Sequence, residues 1–334
     1  MTGLQRYTAM LRRAPVDFVP RTPILMQFLA EYSGAKYGAF CSDYRVKVAG
    51  NLRCAAAFGV DVVSVMSDPY SETQGYGAEI LLLDQGVPQC PHPPLENSTD
   101  LTGVPQPDPL QAPRMLNTVR TVEAYRTQAG DTYSVLGWVE GPAAEAADLR
   151  GVNQFLLDLM DDPAWCGELM DRCVEVAIAY ARAQVQAGAD TIGVGDAIAS
   201  QVSRAAYEQI ILPREHRLVT AIKAMGAFVR LHICGNITHL LPGIATLGID
   251  ILDVDHLVDL ATVRKTVGAR IALAGNTDPV AGILRGTPAA IRDRVRRDYE
   301  LVGNPFLVNA GCEIPPGTPE ANLRALCDPV VWQR

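Results

Sequence analysis

The sequence predicts a parallel (β/α)8 TIM barrel with a small insertion after its second strand. Eight short apolar runs alternate with helical stretches over about three hundred residues, the order of elements that builds a parallel sheet closing on itself. An open, doubly wound sheet is the alternative, but Gly193-x-Gly195 lacks the third glycine of a dinucleotide fingerprint and no P-loop is present. With 334 residues, 48% of them hydrophobic, the chain can bury a large core, and residues 1–334 read as a single barrel domain.

The elements follow in order. Thr22–Met26 is the first apolar run, and Tyr44 to Gly59 reads as a helix. Val60–Met66, rich in β-branched residues and ending at Ser67-Asp68-Pro69, is the second strand. From about 70 to 110 prolines and glycines crowd the chain around Glu79–Asp84, which predicts an excursion with a short hairpin. A helix near Leu116 to Ala129 leads to the third strand, Tyr133–Trp138, opening onto Val139-Glu140-Gly141-Pro142. Asp162-Pro163 starts a helix as N-cap and first residue, and Gly188 stops it. Ala189–Asp196 is the fourth strand. Tyr207 to Met225 contains Pro213, which predicts two helices or a kinked one. Phe228–Asn236, Ile249–Asp255, Arg270–Gly275 and Phe306–Ala310 are strands five to eight. Asp278-Pro279, Thr287-Pro288 and Thr318-Pro319-Glu320 open the late helices.

Charge and cysteine usage narrow the function classes. A formal charge of −8, from 29 basic and 37 acidic residues, argues against nucleic-acid binding. The first twenty residues show scattered arginines and prolines and no continuous apolar stretch, so neither a signal peptide nor a membrane span is visible and a cytoplasmic protein is expected. Eight cysteines dispersed through a long chain are not a disulfide scaffold; Cys173 falls on an apolar helical stripe and reads as core.

In a barrel, the polar residues that follow each strand share one mouth. Here they are Asp68, Glu140, Asp196, His232 with Cys234, Asp255 with His256, Asn276 with Asp278, and Cys312. Side chains two apart in a strand point the same way, so His232 and Cys234 project together. His-x-Cys alone is half of a zinc site and is more often a buried, hydrogen-bonded pair. Cys312 at the end of the eighth strand supplies a third ligand. Asp255 either fills a fourth position or orients His232 from behind. Glu140, Asp196 and Asn276 bind substrate or brace the mouth, with Asp196 favoured for substrate because Gly195 lets a ligand approach. Two thiolates and a neutral imidazole balance the zinc charge, which suits activation of a substrate thiol for alkyl transfer better than hydrolysis.

These residues resemble a known family. His232-Ile233-Cys234-Gly235-Asn236, Gly195-Asp196 and Gly311-Cys312-Glu313-Ile314-Pro315-Pro316-Gly317-Thr318-Pro319 are similar to the uroporphyrinogen decarboxylase superfamily, in its corrinoid-linked methyltransferase branch. The resemblance implies zinc on His232, Cys234 and Cys312, and a methyl group passing between a methylated corrinoid and a zinc-bound thiol or small methylated substrate. No Asp-x-His-x-x-Gly corrinoid-binding pattern occurs in the chain, so the cobalt cofactor is expected on a separate corrinoid protein. The decarboxylases of the superfamily, which are metal-free, are the alternative. They carry a Met-Arg-Gln-Ala-Gly-Arg-Tyr motif whose arginines grip porphyrinogen carboxylates, and the equivalent Leu25–Tyr32 has neither arginine. A non-catalytic zinc-binding or corrinoid-binding protein is a further alternative, set apart from an enzyme by turnover with a methylated corrinoid.

Overall fold

The computed structural model describes residues 1–333. Seven strands stand side by side in chain order: β1 Val62–Ser64, β2 Ser134–Glu140, β3 Thr191–Gly195, β4 Phe228–His232, β5 Ile251–Val254, β6 Ala272–Gly275 and β7 Phe306–Leu307. Every pairing is parallel. Nearly every strand residue is buried, as expected when helices cover one face and the other turns inward.

The expected first strand, Thr22–Met26, does not form; the segment bonded into the sheet is Pro20–Thr22. Pro20 O accepts from Val308 N, Val308 O accepts from Thr22 N, and Arg21 O accepts from Asp61 N, so this one segment is bonded on both sides, beside β7 and beside β1. It makes a single parallel bridge, Arg21 with Val308, and no regular ladder. Pro20 and Pro23 have no N–H to donate, which removes the bonds a ladder would need. The helix Gly3–Leu11, capped by Thr2, lies beneath: Leu4 N bonds Thr132 O, and Tyr7 Oη is 3.0 Å from Thr191 Oγ1 at the start of β3.

Most helix boundaries follow their local signals. Asp162 accepts from Trp165 N and Gly188 closes helix Pro163–Ala187 in the left-handed region. Asp278 caps a π-helical turn Pro279–Leu284, and Thr287 caps helix Pro288–Val302. The stretch containing Pro213 is divided as expected: a π-helical turn Tyr207–Ile211 gives way to helix Leu212–Ala224, and the proline sits in the first turn of that helix, where its missing N–H costs nothing. The helix expected from Leu116 begins at Pro113 for the same reason. The last helix runs Glu320–Leu326 with Pro319 in front of it; Thr318 instead donates its hydroxyl to Pro315 O. In the 70–110 stretch a helical turn Ser71–Gly75 comes first, and the expected hairpin is reduced to one antiparallel bridge between Leu81 and Gln89. Leu81 and Leu82 are exposed there, with no partner strand to cover them. Among the described residues no helix is long and apolar enough to cross a membrane.

Candidate metal centre

The strand pattern sets the site. In β4, Phe228, Arg230 and His232 alternate onto the inner face, and Cys234 continues that face beyond the strand end. In β5 the same alternation turns Ile251, Asp253 and Asp255 inward, and the register pairs His232 with Asp253. Arg230, 1% exposed, is a cation in the middle of the sheet interior and requires a partner. Asp253 provides it, accepting from Nε at 2.8 Å and Nη2 at 2.7 Å. The same carboxylate meets His232 Nδ1 at 3.2 Å, which turns Nε2 toward the mouth, and Asn309 Nδ2 lies 3.3 Å from Oδ1. Burial opposes the charge on Asp253, but the nearby Arg230 and the bond to His232 bring its pKa down to about 2.

At the mouth three ligand atoms converge. His232 Nε2 lies 2.9 Å from Cys234 Sγ and 3.7 Å from Cys312 Sγ, and the two sulfurs are 3.6 Å apart. Bonds of about 2.3 Å to sulfur and 2.0–2.1 Å to nitrogen, tetrahedrally arranged, place such atoms roughly 3.6–3.8 Å apart. Two edges of the observed triangle match and the His232–Cys234 edge is shorter. The three groups also share protons, which a bound cation would have to displace. The bond from Cys234 draws the Cys312 thiol down to about 4, against burial and with help from His232. Cys234 is pushed up by that same bond and by burial. Burial disfavours the His232 charge, yet the bonds to Asp253 and Cys312 carry it up to about 10. The residues present suit a zinc ion in donor type and, on two of the three edges, in spacing.

Cys312 reaches the group because its loop is fastened to the segment after Pro23: Ile24 N bonds Asn309 Oδ1, Ile314 N bonds Ile24 O, and Gln27 N bonds Glu313 Oε1. A cavity of about 220 Å³ opens beside the three ligands, walled by Ile24, Met26, Met66, Trp138, Glu140 and Glu313 among others. A larger one, about 570 Å³, lies on the far side of helix Gln27–Ser33, against Lys36 and Asp84, and contains none of the ligands.

The other expected site residues divide. Glu140 lines the cavity, with Oε1 accepting from Trp138 Nε1 at 2.9 Å; burial raises its pKa well above the usual carboxyl range. Asp255 is outside the ligand group: its Oδ2 accepts from Gly235 N and its Oδ1 from Leu257 N, both at 2.9 Å, so it braces the turn after β4. Behind His232, the orienting carboxylate is Asp253. Asp196 is fully buried and does not reach the cavity, since it accepts from Ala144 N at 2.7 Å and Ala143 N at 3.4 Å at the start of helix Pro142–Arg150. What approaches Gly195 is the indole of Trp138, whose ring atoms would lie 2.8 Å from a Cβ there and 2.1 Å from one at Gly193. Asn276 also stands away from the mouth, donating to Val258 O and Asp255 O and accepting from Arg294. Asp68 lines the cavity wall but is paired with Arg114, and His256 lies between Asp255 and Asp278.

With this geometry in place, comparison with known proteins is informative. The uroporphyrinogen decarboxylase (URO-D) family matches residues 2–331. The chain belongs to that family. Within the uroporphyrinogen decarboxylase family it is 29% identical to the methylcobamide:CoM methyltransferase MtbA of Methanosarcina mazei, over 98% of this chain and 97% of that protein. It is 28% identical to the uroporphyrinogen decarboxylase of Nostoc punctiforme, over 94% and 93%. A solved methyltransferase from Methanosarcina mazei superposes with a TM-score of 0.89 at 27% identity, covering 98% of this chain and 97% of that one. Both kinds of relative match nearly the full length, so the residues of the mouth have to distinguish them.

Proposed function

We propose that this member of the family is a zinc-containing methyltransferase that moves a methyl group between a corrinoid on a partner protein and a thiol or small methylated substrate. The observation that carries the reading is the meeting of His232, Cys234 and Cys312 at the wall of one cavity. Zinc held by these residues would bind a substrate sulfur as thiolate, a nucleophile at neutral pH. Asp253, fixed by Arg230, holds the imidazole in the orientation that presents Nε2. Ile24, Met26, Met66 and Trp138 offer an apolar wall on the side where a methyl group would arrive.

Against the decarboxylase reading stands the Leu25–Tyr32 segment. It forms helix Gln27–Ser33 at the cavity edge and offers no guanidinium to a porphyrinogen carboxylate. We read Pro20–Thr22 as the segment that completes a (β/α)8 barrel, with the 70–110 excursion inserted at its rim, in a cytoplasmic enzyme.

The test is zinc content per chain in protein purified without chelator, beside Cys312→Ala, followed by methylcobalamin consumption with a panel of thiols. About one zinc per chain that is lost in the variant, together with thiol-dependent loss of methylcobalamin, supports the proposal. A wild-type protein that takes up no zinc on reconstitution refutes it.

A further inference from the structure

We infer that the non-reacting end of the small substrate is an ammonium-class cation received by Glu140 and Trp138, and not a sulfonate or carboxylate. This rests on the methyltransferase reading of the cavity. Among its fourteen lining residues there is no lysine or arginine, whereas Asp68, Glu140 and Glu313 all contribute carboxyl groups. The nearby cations do not line the wall, although Arg114 Nε and Nη1 have no partner behind Asp68. Arg114 is bound to Asp68, Lys47 Nζ donates to Val65 O at 2.9 Å and Ser67 Oγ at 3.1 Å, and Arg230 is bound to Asp253. An anionic tail would find no partner here and would face carboxyl groups at low dielectric.

Glu140 supplies the positive case. It is 8% exposed, its Oε1 is held by Trp138 Nε1, and Oε2 has no hydrogen-bond partner among the described residues. That oxygen is free to take a donor from a ligand in the cavity. The indole beside it lies across Gly193 and Gly195, and its ring centroid is 6.2 Å from that of His232. An ammonium group between that ring and Oε2 gains a cation–π contact and a hydrogen bond, and its charge favours loss of the Glu140 proton that burial otherwise retains. The sheet provides a ruler. Glu140 pairs with Gly195 and Gly195 with His232, so the two side chains start two strands apart at one level, about 9.6 Å between backbones. Both reach inward, which leaves room for a short chain, about two carbons, between sulfur and cation.

The test is a titration of full-length cobalt(II)-substituted protein, read by the thiolate-to-cobalt charge-transfer band. The probes are 2-aminoethanethiol, 2-mercaptoethanol and 2-mercaptoethanesulfonate, which differ in the terminal group. The amine should bind at least about tenfold more tightly than the sulfonate, and Glu140→Gln should bring the two to within about threefold while cobalt stoichiometry holds. On wild-type protein, tetramethylammonium should compete with 2-aminoethanethiol and methanesulfonate should not, a result that needs no variant. A sulfonate thiol that binds as tightly as the amine overturns the inference, as does an unchanged ratio in Glu140→Gln. Methylcobalamin consumption in the same samples separates the two readings. Thiols that bind but take no methyl group refute the transferase and leave the charge ranking decided, whereas a band that responds to no thiol refutes both.

Discussion

Replacing Asp253 by asparagine separates the two tasks this carboxylate performs. The side chain is 1% exposed and accepts from Arg230 Nε and Nη2 and from His232 Nδ1. Asparagine keeps the shape but removes the charge, and its amide presents donors where donors already point. Leaving one partner of a buried ion pair unpaired costs about 3–5 kcal/mol of stability. Loosening the imidazole lowers metal affinity about 10- to 100-fold, equivalent to about 1.4–2.7 kcal/mol. Urea unfolding measures the first loss, and zinc competition against a chromogenic chelator measures the second. The double variant Arg230→Met, Asp253→Leu replaces the buried pair with apolar volume, so it should recover stability without recovering affinity. Asp253→Asn with zinc affinity within about threefold of wild type, or a double variant that regains both properties, would refute the reasoning.

Three further outcomes follow from the same contacts. Lys47 is buried, and burial lowers its pKa to about 8, outweighing the pull of Cys41 and Asp68. Between about 8 and the ordinary 10.5 the unfolded chain binds more protons than the folded one, so this group's contribution to stability rises with pH across that window. The stability difference between wild type and Lys47→Met should therefore shift in favour of wild type by about 3 kcal/mol from pH 8 to 10.5, and a flat difference in urea titrations counts against the assignment. Gly193→Ala drives a methyl group into an indole held by Glu140; we expect about 1–3 kcal/mol of destabilisation and altered tryptophan emission, and unchanged emission would mean the ring lies elsewhere. Asp196→Ala should lower stability by about 1–2 kcal/mol, as loss of a helix-start acceptor does, with zinc content intact; lost zinc or substrate binding at full stability would return Asp196 to the site.

The order of the strands and the helix starts at Asp162 and Thr287 were legible from local signals, and the meeting of His232, Cys234 and Cys312 from the shared mouth a barrel gives its strand ends, whereas the exact strand limits were not. Which way a strand-end polar group turns was not. Asp196 and Asn276 follow strands as Glu140 does, but they are drawn to backbone groups that no periodicity reveals. For Asp196 a signal existed: Gly141-Pro142 begins a helix on the neighbouring strand, and its first N–H groups need an acceptor. Asp253 was missed although Arg230 announces it. An arginine two residues before His232 on the same inner face must be neutralised from an adjacent strand. The first strand was placed at Thr22–Met26 from its apolar composition, whereas the bonded segment is Pro20–Thr22, bounded by two prolines that interrupt its ladder.

Those prolines have a consequence during synthesis. The segment around Thr22 waits for Val308, 286 residues downstream, before one of its sides is bonded. At 5–20 residues per second that delay is roughly 15–60 seconds. Throughout it, the early segment would present one open edge to any neighbouring nascent chain. A segment whose donors at positions 20 and 23 are missing is a poor template for such encounters. Because Cys312 emerges just after Val308, the same late event that bonds the segment also completes the ligand triangle, and a chain halted earlier holds neither.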